Sequence, residues 1–203
     1  MKHASTRAVF AYWNERRGSR PAPERADIDP GVIRQALGDT FLLSTDFVDQ
    51  LRFRLAGTRI CALFCREVKG EILTELWAEK SRKAVEDIIS IVGDEMAPAV
   101  TGLTGHAADG AAADLEMLLV PLTRNGANAR VAMLGVLAPT IPVYWIGEKP
   151  IVEIHLNAVR HLAPELAHHA SPRLAPPAAD GELRHGFTVY SGGRDQPSTE
   201  RSA

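Results

Sequence analysis

Apolar and polar positions change rhythm repeatedly along this chain, and the changes mark its elements. Val9, Tyr12, Trp13 and Arg16 follow the three-four spacing of a helix face, so residues 6 to 17 read as an amphipathic helix ending before Gly18. After a linker at Pro21 to Asp27, Asp29 can cap a short helix with Pro30 in its first turn. There Val32, Ile33, Ala36 and Leu37 form one face and Gly38 the exit. Phe41, Leu43, Thr45 and Phe47 alternate with their neighbours, and so do Leu51, Phe53 and Leu55. Two strands joined by a turn at Asp49-Gln50 make an antiparallel hairpin. Gly57-Thr58 breaks the second strand, with Thr58 placed to cap a helical turn.

The helical rhythm returns over residues 78 to 92, where Ala84, Val85, Ile88, Ile89 and Val92 share a face that should lie on a sheet. Strands are expected near 98 to 105, 114 to 123 and 130 to 138, the last two turning around Asn125-Gly126. The predicted fold is α+β, a five-stranded antiparallel sheet with helices between strands two and three. An N-terminal helical flank (1–38) precedes the core (39–140). From Ile141 the pattern weakens. A short helix within His155 to His169 is the reading there, followed by a proline- and alanine-rich, partly disordered tail, with a weak alternation at Phe187 to Tyr190. Residues 141 to 203 are therefore assigned to a C-terminal extension.

The run Leu51-Arg52-Phe53-Arg54-Leu55-Ala56-Gly57-Thr58, followed by Leu63-Phe64-Cys65-Arg66-Glu67, resembles the signature of a bacterial stand-alone PAS-like family, with Cys65 where the family carries glycine. Tyr12-Trp13, Arg25 to Pro30, Leu76-Trp77, Leu115 to Leu122, Leu134 to Ala138 and His185 to Arg194 extend the likeness in order along the chain. The resemblance implies a PAS fold used in signalling, without catalytic residues to carry over. In such a fold an interior pocket lies between sheet and helices, and Phe53, Cys61, Phe64, Trp77, Met117 and Met133 are the residues placed to line it. The aromatic stripe at Tyr12 and Trp13 needs burial against the outer face of the sheet or against a dimer mate. Flanking helices of PAS proteins commonly mediate dimers, and Val9, Tyr12 and Trp13 are assigned to a dimer interface.

Composition narrows these expectations. With 203 residues and 45% hydrophobic content, the chain suits one domain with extensions. A formal net charge of −2 lacks the footprint of a dedicated nucleic-acid binder. Arg16, Arg17, Arg20 and Arg25 cluster locally and read as a solvated helix end. No apolar run approaches the roughly 18 residues of a membrane span, and no secretory signal core is present, so a cytoplasmic location is expected. Cys61 and Cys65 stand four apart, which puts both on one side of a helix, but a zinc site needs about four ligands and none stand nearby. His106 lacks a supporting haem motif, while His155, His161, His168 and His169 do not share a helical face at ligand spacing. A lone Glu116 in the apolar run 115 to 122 could pair with Arg52 or Arg54 across a shared sheet face. No nucleophile motif, paired carboxylates, phosphate loop or dinucleotide fingerprint occurs. The expectation is a non-enzymatic sensory or interaction module without a cofactor, a homodimer that docks onto a signalling protein. The rival reading is a sensor holding a small apolar ligand.

Overall fold

A computed structural model of the chain describes residues 1–45, 50–123 and 132–162, together with the strands Gly181–Arg184 and Phe187–Tyr190. The first helix, α1, runs Ala4–Arg17 and stops at Gly18, whose φ of 56° turns the chain left-handed. The sheet then begins with β1 (Thr40–Thr45) and β2 (Leu51–Ala56), followed by α2 (Thr58–Phe64) and α3 (Glu79–Asp94). It closes with β3 (Ala99–Ala107), β4 (Ala112–Leu122), β5 (Ala132–Pro139) and β6 (Ile151–His161). Every pairing is antiparallel and the spatial order is β2-β1-β5-β4-β3-β6. The helices α2 and α3 thus fall between strands two and three, and the α+β class follows.

The expected strand count was five, and the sixth strand is the main departure. Residues 155 to 161 are not helical, because β6 pairs along the whole of β3 from Ala107↔Ile151 to Ala99↔His161. A β3 edge without this partner would leave a row of backbone donors and acceptors unpaired. Trp145, Ile151 and Ile154 are buried in the same core as α3. The segment from 141 to 161 therefore belongs to the compact unit Met1–Ala167 rather than to a detached extension. The second unit contains a separate two-stranded antiparallel hairpin, β7 (Gly181–Arg184) with β8 (Phe187–Tyr190). The proline- and alanine-rich stretch, the Asn125-Gly126 turn, Phe47, Asp49, His168 and His169 lie outside the described residues.

Two smaller departures have local causes. Asp29 to Leu37 forms successive turns, not a regular helix: the Gly31 N–H donates to Asp29 Oδ1 at 2.8 Å and the Ala36 N–H to the Ile33 carbonyl at 2.8 Å. Pro30 and Gly31 are poor helix formers, and so short a segment cannot overcome the cost of nucleation. Thr58 is the first residue of α2 rather than its cap, a position held by Gly57. A methyl group at Gly57 would collide with the carbonyls of Leu37 and Gly38.

Strand β4 is buried on both faces, which accounts for its unbroken apolar run. Leu115, Met117 and Leu119 point into a core shared with α2 and α3, where Val85, Ile88 and Val92 close over them. Leu118, Val120 and Leu122 point the other way and meet Val9, Tyr12 and Trp13 of α1. Two apolar layers therefore flank one sheet. Among the described residues, no helix is long and apolar enough to cross a membrane.

Candidate functional site

Five of the six residues expected to line an interior pocket do come together. Phe53, Phe64, Trp77, Met117 and Met133 are each at most 2% exposed within the layer between sheet and helices. Alternation on β2, β4 and β5 aims Phe53, Met117 and Met133 to that side, while Phe64 closes α2. The Phe53 ring meets Phe41 edge to face at 5.4 Å, a favoured aromatic geometry. Trp77 is fixed by its backbone: it bridges to Ile154, and its carbonyl accepts from Arg82 Nε at 3.1 Å. Its indole N–H is buried without an acceptor among the described residues. Cys61 is only half-buried on α2, with its sulfur 3.7 Å from Glu67 Oε2. Burial, joined by the Glu67 charge, pushes the Cys61 thiol above its ordinary value, which disfavours the reactive thiolate. Trp145, Ile151 and Ile154 join this layer although no sequence rhythm announced them, because β6 had no recognisable pattern of its own.

The assignment of Val9, Tyr12 and Trp13 to a dimer interface meets a different geometry. Val9 and Trp13 have no exposed surface within the single chain, because α1 lies on its own sheet. Trp13 Nε1 donates to the Pro121 carbonyl at 2.7 Å, and the Asp29 N–H donates to the Tyr12 hydroxyl at 2.8 Å. The apolar stripe is covered internally, so it offers nothing to a second copy.

Carboxylates fasten α1 in place. Glu116 accepts from the backbone N–H groups of Lys2 at 2.7 Å and His3 at 3.0 Å. The expected pairing with Arg52 or Arg54 does not form, since β5 and β1 separate β4 from β2. Arg52 instead donates to the Gly70 carbonyl and Arg54 to Ser44 Oγ. Asp39, buried before β1, accepts from Ser5 Oγ at 2.6 Å and from Arg59 Nε and Nη2 at 2.6 and 2.8 Å. Burial alone would raise both carboxyls. Hydrogen bonds from Arg59 and Ser5 to Asp39, and from the two amides to Glu116, outweigh it and hold both below the usual carboxylate range. Glu116 ties down the entry to α1 and Asp39 links α1 to α2 through Ser5 and Arg59, and of the two the sequence singled out only Glu116, as a lone charge in an apolar run.

Over the middle of β3 and β6, beyond the reach of α1, the outer face of the sheet is open. Open space lies above Gly102, and a depression of about 510 Å³ is lined by Lys2, Asn157, Val159 and Arg160 among others. His106 and His155 meet edge to face at 4.8 Å on this half of the sheet, and His155 Nε2 lies 2.7 Å from Glu153 Oε2. No group of three or more potential metal ligands occurs among the described residues.

No curated protein matches the chain. Similar solved structures include a light-oxygen-voltage domain studied with a flavin analogue, 19% identical over 55% of this chain and 85% of that one, at a TM-score of 0.43. An RNA-binding light-oxygen-voltage receptor is 22% identical over 54% of this chain but only 33% of its own length, at a TM-score of 0.41. A PAS domain from Colwellia psychrerythraea is 19% identical over 55% of this chain and 97% of that one, at a TM-score of 0.38. The family model described as PAS domain matches residues 1–138, which takes in α1, both layers of the core and five of the six strands of the sheet. With a matched span of that length and helices between strands two and three, the chain belongs to the PAS domain family.

Proposed function

We propose that this chain is a non-enzymatic sensory or interaction module of bacterial, cytoplasmic signal transduction that acts by docking onto a partner chain. The observation that carries this reading is the half-covered outer face of the sheet. The helix α1 closes over β4 and β5, while open space remains above Gly102, next to Ala158 and Arg160 on the same face of β6. Lys2 and Arg160 rim it, and Gly102 and Ala158 give it a floor of small residues that lets another chain approach closely. The occupant proposed is a second copy, with a signalling protein as the further partner. Native mass spectrometry over a dilution series should show a dimer. Gly102→Arg, at a position with room for a side chain, should give the monomer with unchanged unfolding. A monomer at every concentration for the unaltered protein would end the homodimer reading.

A second reading has its own support in Trp77. A buried donor without an acceptor costs on the order of 1–3 kcal/mol, which a bound group bearing an oxygen or nitrogen acceptor would recover. A small apolar ligand among Phe53, Cys61, Phe64, Trp77, Met117 and Met133 fits that need. The same mass spectra would show a retained small molecule, and Trp77→Phe should release it. Spectra of bare protein from several growth conditions would count against this reading.

A further inference from the structure

A separate cavity lies on the other side of the sheet from Trp77 and Met117. The linker leaving α1 is tied to the end of β4, where the Arg25 N–H donates to the Thr123 carbonyl at 3.1 Å and the Thr123 N–H to the Pro23 carbonyl at 2.9 Å. Beyond that tie the turns from 25 to 37 bridge over β1 and β2 and enclose about 260 Å³. Its lining is almost wholly apolar and includes Ile28, Ile33, Leu37, Leu55 and Leu134. Leu37 and Leu55 remain 37% and 57% exposed, so apolar surface is left bare where the cavity opens. Arg25 is the single charged residue in the lining. Its backbone is held in a short 3-10 turn, yet its exposed guanidinium makes no hydrogen bond or ion pair among the described residues.

An unspent cation beside an apolar cavity matches a ligand with an anionic head and a hydrocarbon body. A guanidinium offers two parallel N–H donors that suit a carboxylate. The volume lies just below the roughly 300 Å³ at which ordinary small-molecule pockets begin, so the body must be a single short chain or ring. We propose that this cavity binds a small apolar carboxylic acid, its carboxylate on Arg25 and its hydrocarbon part between the linker and the outer face of the sheet. This site goes beyond the proposed function above, because it uses neither the open surface over β3 and β6 nor the interior layer around Trp77.

Octanoate titrated into the full chain, followed by methyl NMR, tests the assignment. One molecule should bind per chain, with shifts centred on Ile28, Ile33, Leu37 and Leu55. Octanol, which has the same chain without the charge, should bind about tenfold more weakly, as expected for loss of a hydrogen bond to a charged group. Arg25→Gln should remove that difference between acid and alcohol while leaving the unfolding transition in place. No saturable binding at millimolar octanoate would overturn the proposal, as would a preference for the acid that survives Arg25→Gln. Shifts centred on Met117 and Met133 would also overturn it, and would move the acid to the interior layer in favour of the ligand reading.

Discussion

At Cys65 the backbone turns left-handed, with φ of 50°, as the residue that ends α2. An L-residue in that conformation costs about 1–2 kcal/mol, whereas glycine adopts it freely but gives back about 0.5–1 kcal/mol in unfolded-chain entropy. The family resemblance places glycine here, and the conformation supplies the reason. Cys65 is exposed, so its side chain does not restrict the interior layer. Cys65→Gly is expected to raise unfolding free energy by up to about 1 kcal/mol in a denaturant titration. Cys65→Val should lower it, since a β-branched residue is least tolerant of positive φ. Gly57 presents the opposite case, a close approach rather than a special angle. Any side chain there meets the carbonyls of Leu37 and Gly38, which are backbone and cannot rotate away. Gly57→Ala should therefore destabilise by more than about 2 kcal/mol in the same measurement.

The helix α1 depends on both apolar and ionic contacts with the sheet. Trp13 is fully buried and its indole N–H is paired, so Trp13→Ala is expected to cost about 3–5 kcal/mol of stability. Chemical denaturation reads that loss, while light scattering should show no specific change in oligomer mass for whatever fraction stays folded. Asp39 and Glu116 add a pH dependence. Both have folded-state pKa values below the unfolded values near 4, so the folded protein binds fewer protons than the unfolded chain as pH falls through this range. Their stabilisation is present above about pH 4 and is lost as pH falls through the lower folded values. Stability profiles between about pH 5 and pH 2 should thus slope downward on acidification, and Asp39→Asn should flatten part of that slope. A profile unaltered by the substitution would mean that the Ser5–Asp39–Arg59 cluster does not anchor the helix.

For the molecule as a unit, the sixth strand decides where the fold ends. The family match stops at residue 138, yet β6 completes the β3 edge and brings Trp145, Ile151 and Ile154 into the core. Leu156 N–H also donates to Ser81 Oγ at 3.1 Å, which ties the strand to α3. A chain of residues 1–162 is expected to unfold cooperatively, whereas 1–140 should be insoluble or lack a cooperative transition, as judged by circular dichroism during thermal melting. Cooperative melting of 1–140 would reduce β6 to an accessory strand.

Periodicity alone placed α1, the hairpin of β1 and β2, α3, and the three strands that follow to within a few residues, because each of these has one face or both committed to burial and the pattern is local. The interior residues Phe53, Phe64, Trp77, Met117 and Met133 were placed instead by the family resemblance, which says where the space between sheet and helices lies. What required the folded chain were features whose cause lies far away in sequence. The strand β6 has an uneven pattern and takes its conformation from the β3 edge it pairs with. Trp13 could have faced a second copy or its own sheet, and only the packing of α1 chose between them. The partners of Glu116 were invisible because backbone amides 113 and 114 residues away carry no side-chain signature. The cavity beside Arg25 belongs to the same class, since it arises where irregular turns cross a sheet, and neither partner's sequence encodes the space between them.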